Sequence, residues 1–171
     1  MSDIFSFAEV RPEHADLVGG KGLSLGLTGS AGLPVPPGFC VTTAAYRRLG
    51  LESRIDAALG AALAAAYREL GGGPVAVRSS ATAEDGAVTS FAGQQETILG
   101  VEGDVALRDA VERCWRSLHA DRAKAYRQRQ GVGEAGLAMA VVVQRLVNSE
   151  VAGVMFTRDP LDPTGSLMRV E

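Results

Sequence analysis

Two cationic side chains of this chain sit among glycines and small residues, and both settings suit a phosphate. Lys21 lies in Gly19-Gly20-Lys21-Gly22, just ahead of Leu23, Leu25, Gly26 and Leu27, which read as a short helix. At a helix mouth, backbone N–H groups and the helix dipole add to an ammonium in holding an anion. The motif is not a P-loop, because the G-x-x-x-x-G-K-[ST] spacing is missing. A lysine in a solvated turn is the competing reading. Arg78 ends the β-branched run of residues 75–77 and leads into small and hydroxyl residues, then the acidic pair Glu84 and Asp85. Further on, in Ser90-Phe91-Ala92-Gly93-Gln94-Gln95, Gly93 lets backbone approach a ligand, and neighbouring N–H groups can point at anionic oxygens. A fixed guanidinium with unblocked backbone donors is what a polyphosphate needs. A strand, a solvated turn and a second strand is the alternative. Gln144 stands in the apolar run of residues 137–147. Its amide can donate and accept, as the edge of adenine asks. An edge-strand glutamine facing water is the alternative there.

The elements that must position these residues follow from periodicity. Residues 4–7 read as a short strand, and the prolines of residues 33–37 fix an extended connection into a strand ending at Val41. Thr42 or Thr43 is expected to cap a helix over 44–49. Ile55, Leu59, Leu63, Tyr67 and Leu70 form a helical apolar stripe over 53–70, with Ser53 as its expected cap. Gly71-Gly72-Gly73-Pro74 stops that helix before the strand at 75. Residues 98–101 are expected to pair with 75–77. Asp104 is expected to cap a helix carrying Leu107, Val111, Trp115 and Leu118, and Asp121 to open a basic amphipathic helix to Arg129. Residues 137–147 and 151–156, around Asn148-Ser149-Glu150, read as a hairpin, with a further strand starting near Leu167. Alternation puts Ala140, Val142, Gln144 and Leu146 on one face of the first strand. The fold class is therefore α/β, or α+β: a mixed sheet with packed helices.

At 171 residues and 46% hydrophobic content, the chain is expected to form one domain with an ordinary core. A net charge of −3 gives no basic excess for nucleic acid or an anionic membrane. Cys40 and Cys114 stand far apart in apolar settings, as reduced, buried thiols do. No leader or membrane-spanning run is visible, so a cytoplasmic protein is expected. His14 and His119 read as structural.

The wording VRSSATAED followed by SFAGQQET, with LVGGKGLSLG before it and VVVQRLV…AGVMFTRDP after it, closely resembles the nucleotide-binding domain of the phosphoenolpyruvate synthase and pyruvate, phosphate dikinase family. The likeness is greatest to the phosphoenolpyruvate synthase and rifampin phosphotransferase branch. The resemblance implies the N-terminal part of an ATP-grasp-like domain. It also implies phosphoryl transfer from ATP, by way of a histidine, to pyruvate or an antibiotic hydroxyl. By motif match, Lys21 and Arg78 would hold the phosphates, Gly93 and Thr97 would cradle them, and Gln144 would touch the base. The connection between PVPPGFCVTT and VRSS is shorter than the family leads one to expect.

In the family the domain continues past the residue matching Glu171, and the continuation carries the magnesium ligands and a further arginine. The phosphohistidine domain is separate. Residues 1–171 are thus expected to be a partial domain, ATP its ligand and magnesium held outside the chain. No residue here is expected to be catalytic or to bind metal, and the chain alone is expected to be inactive. A non-catalytic nucleotide-binding or docking module, complementing a separate second half, is the alternative. The apolar alternation near Met168 adds an expectation of self-association.

Overall fold

The computed structural model describes residues 2–49, 54–81, 96–120, 137–159, 161–162 and 164–171. In order, β1 (Ile4–Ser6), two 3-10 turns (Phe7–Glu9 and Pro12–His14), α1 (Ala15–Ser30), β2 (Gly38–Val41), α2 (Thr43–Leu49), α3 (Ala57–Glu69), β3 (Val75–Ala81), β4 (Thr97–Val101), α4 (Asp104–Ser117), β5 (Met139–Arg145), β6 (Met155–Phe156) and β7 (Arg169–Val170) follow one another. Strands β1, β2, β5, β3 and β4 lie side by side in that order, and each of the four pairings is antiparallel.

Helices cover both faces. On one face, Val41, Val75, Val77, Val141 and Val143 pack with α2, α3 and α4 through Tyr46, Leu59, Leu63, Leu107, Val111 and Trp115. On the other, Cys40 and Val142 pack with Phe7, Val10 and Val18, next to Leu17, Leu23 and Leu25 of α1. The α3 stripe is as expected, with Leu59, Leu63 and Tyr67 buried. Its cap is Asp56, whose carboxylate accepts from the Leu59 N–H at 2.8 Å. Ser53, the expected cap, lies outside the described residues. Thr42 caps α2, its Oγ1 accepting from the Ala45 N–H at 3.3 Å. Gly103, at φ 83°, is the N-cap of α4, and Asp104 falls in the first helical turn instead. An acid there still faces the positive end of the helix dipole. The basic helix expected from Asp121 lies outside the described residues.

The expected hairpin of residues 137–147 with 151–156 does not form. Both edges of β5 are taken, by β2 and by β3, so β6 pairs with β7 instead. The polar turn at Asn148 was a true chain break, but β5 buries both faces and finds its partners far away in sequence. The expected pairing of residues 98–101 with 75–77 is present: Val101 stands opposite Val75 and Ile98 opposite Val77.

Both cysteines are free and buried. Burial pushes each thiol up to about 12 from an ordinary 9.0, in Cys114 with help from the Glu96 charge. Neutral thiols are poor nucleophiles. Neither should therefore react with an aromatic disulfide reagent at pH 8 in the native protein, and both should react once it is denatured. A fast-reacting native thiol would show that one of these sites is open.

Candidate functional site

The helix α1 is two helical segments joined at Gly19, whose φ of 68° and ψ of 173° are not helical. This backbone region is open almost only to glycine. A Cβ at Gly19 would stand 2.5 Å from both the carbonyl oxygen and Oγ of Ser80. The break makes Gly20, Lys21 and Gly22 the first turn of the second segment, so Lys21 does stand at a helix mouth. Ser80 is fully buried. Its Oγ donates to the Val18 carbonyl at 2.9 Å and accepts from the Gly22 N–H at 3.4 Å. The Gly-Gly-Lys-Gly turn is thereby tied to strand β3. Gly22 also lies close against β2, where a Cβ would come 2.7 Å from Cys40 Sγ.

Arg78 is not at the end of its strand. Ser79, Ser80 and Ala81 go on pairing with Val141, Ala140 and Met139, because small side chains fit between α1 and the sheet. Arg78 is half-buried in the middle of β3, opposite Val142 on one side and Thr97 on the other. Directly opposed residues of an antiparallel pair point to the same face. Val142 belongs to the cluster under α1, so Arg78 and Thr97 share that face. Among the described residues no carboxylate forms an ion pair with Arg78. Thr97 is exposed at the first position of β4.

Gln144 stands opposite Ala76 on β3 and Gly38 on β2, again on the α1 face. At 8% exposure in a strand paired on both sides, it is not a water-facing edge residue. Its Nε2 donates to the Pro36 carbonyl at 3.0 Å, which fixes the amide's orientation. Oε1 and the second N–H have no partner among the described residues. Gln144, Arg78 and the Ser80-bound lysine turn therefore follow one another along β3. Ala76 to Ser80 is four residues, roughly 13 Å of strand. Gly93, with Glu84 and Asp85, lies outside the described residues.

In the sequence Ser80 is legible only as one of several small residues after Arg78, because its partners lie about sixty positions away. The histidines are held elsewhere. His119 Nε2 lies 2.8 Å from Tyr46 Oη, on the α2–α4 side, and His14 Nδ1 accepts from the Arg11 N–H at 3.2 Å. Among the described residues no three His, Cys, Asp or Glu side chains come together as a metal site, and no helix is long and apolar enough to cross a membrane.

Comparison with known proteins places matches over almost the whole chain. The family of the pyruvate phosphate dikinase AMP/ATP-binding domain matches residues 15–63 and 47–171. The two matched segments meet over 47–63, at the connection between α2 and α3. A rifampicin phosphotransferase of Streptomyces sviceus is 37% identical over 205 aligned positions, covering 98% of this chain and 24% of its own. That alignment is longer than this 171-residue chain, so the relative carries residues with no counterpart here. A probable phosphoenolpyruvate synthase of Methanocaldococcus jannaschii is 40% identical, over 90% of this chain and 16% of its own. The prodigiosin synthesizing transferase PigC of Serratia marcescens is 42% identical, over 84% of this chain and 18% of its own. The chain thus spans a quarter or less of the length of each of these three relatives.

Proposed function

This chain belongs to the family of pyruvate phosphate dikinase AMP/ATP-binding domains, and from that premise we propose that it is the ATP-binding portion of a phosphotransferase. The observation that carries the reading is the placement of Lys21, Arg78, Thr97 and Gln144 about one face of one sheet. Lys21 and Arg78 hold the phosphates by charge, Thr97 donates its hydroxyl beside them, and Gln144 meets the base. Gly93 is proposed with them on its motif alone. Residues 1–171 are proposed as a partial domain, with the phosphoryl acceptor, pyruvate or an antibiotic hydroxyl, recognised elsewhere.

Phosphoryl transfer is mostly positioning and charge stabilisation, so the roles of Lys21 and Arg78 are electrostatic and not acid–base. Magnesium neutralises charge in such reactions when bound. Its ligands are proposed to lie outside this chain. Isothermal titration with ATP tests the reading. Saturable binding is expected, and no heat up to millimolar ATP would sink it.

Binding is not turnover. Holding ground state and transition state alike does not accelerate the step. With γ-labelled ATP and magnesium, this 171-residue chain is expected to release no phosphate above background and to take no label. Stoichiometric label on His14 or His119 would make it an enzyme in its own right.

The alternative, a docking module that complements a separate second half, is favoured by the apolar surface of the β6–β7 pair. Met155 and Val170, paired there, are 63% and 74% exposed. The same surface supports self-association. Light scattering should then show mass growing with concentration, and a constant monomer mass would count against it.

A further inference from the structure

We propose that Ser80 positions Lys21, as a helix cap supplied from a neighbouring strand. The inference rests on the reading that Lys21 binds nucleotide phosphate. The break at Gly19 leaves the second segment of α1 with first-turn N–H groups that have no intrahelical acceptor. An N-cap side chain ordinarily fills that need by accepting from the third helical N–H. Gly19 is the residue at the cap position, and it has no side chain. Ser80 Oγ accepts from the Gly22 N–H, the third of the turn, at 3.4 Å. The hydroxyl proton goes to the Val18 carbonyl at 2.9 Å, on the other side of the break. One buried hydroxyl therefore clamps both ends of the five-residue stretch that carries Lys21.

The strand that supplies the clamp also carries Arg78, two residues earlier and on the same face. Ser80 thus ties the backbone of the lysine turn to the strand that bears Arg78. Only a glycine at 19 lets the hydroxyl in, since a Cβ would come within 2.5 Å of it.

A double-mutant cycle on ATP affinity separates positioning from bulk stability. Ser80→Ala should weaken ATP binding about 5- to 20-fold in the parent chain, but less than about twofold in Lys21→Ala. If Lys21→Ala itself binds ATP like the parent, the phosphate reading and this inference fall together. If Lys21→Ala weakens binding while Ser80→Ala has no effect, or adds in full, only the role of Ser80 falls. Should Ser80→Ala fail to fold by circular dichroism, the unaltered chain decides. Saturating ATP should slow hydrogen exchange of the Gly22 amide at least about tenfold, since a held Lys21 tightens the clamp. Unchanged exchange at Gly22 would overturn the proposal.

Discussion

Gly19→Ala is expected to cost about 2–5 kcal/mol of stability. Part is the strain of a side chain in a backbone region open to glycine, and part is the forced shift of Ser80. For a chain of this size each kcal/mol lowers the melting temperature by about 2–4 °C, so a drop on the order of 10 °C should appear. Gly32→Ala is the control. Gly32 also has a positive φ, 81°, but nothing stands within 4 Å of an added Cβ. Its cost should be the strain of its own turn alone, so Gly19→Ala should cost clearly more than Gly32→Ala. Equal costs would mean that the Gly19–Ser80 approach contributes nothing, and the junction of α1 with β3 would need another explanation.

Lys21→Ala and Arg78→Ala should each weaken ATP binding by about 1–3 kcal/mol, as losing a charge-assisted contact does. That is about 5- to 150-fold in the dissociation constant. Both side chains are partly exposed, so their loss should leave stability within about 0.5 kcal/mol. Wild-type affinity in both variants would mean that the phosphates lie elsewhere. A matching loss of stability would mean that either residue acts through the fold.

How much of this was readable from residues depends on the range of the interaction. The α3 and α4 stripes were legible, because burial on one face writes itself as a period, and β5 was legible as a short apolar run because both its faces are buried. Caps were legible only by type: Asp56 caps α3 where Ser53 is expected, and Gly103 takes the cap position one residue before Asp104 without a side-chain bond. The β5 pairing was not legible. Asn148-Ser149-Glu150 is a sound local turn signal, but the β5 edges are filled by β2 and β3, and no local signal reports a partner about a hundred or about sixty-five positions away. The same limit hid Ser80. Lys21 and Arg78 were visible as charges among small residues, whereas the hydroxyl that joins their elements looked like filler. Gln144 was ambiguous because an amide among valines fits an exposed edge as well as a buried centre. Only the two-sided pairing of β5 decides it.

Adenine nucleotide is proposed to lie on the α1 face, between Gln144 and the Lys21 turn. At 17.8 kDa the chain suits amide-resolved nuclear magnetic resonance, and a titration with ATP locates the ligand directly. Shifts should gather at residues 19–22, 76–80, 97 and 142–144. Shifts gathered on α2, α3 and α4 instead, or none at millimolar ATP, would contradict the account.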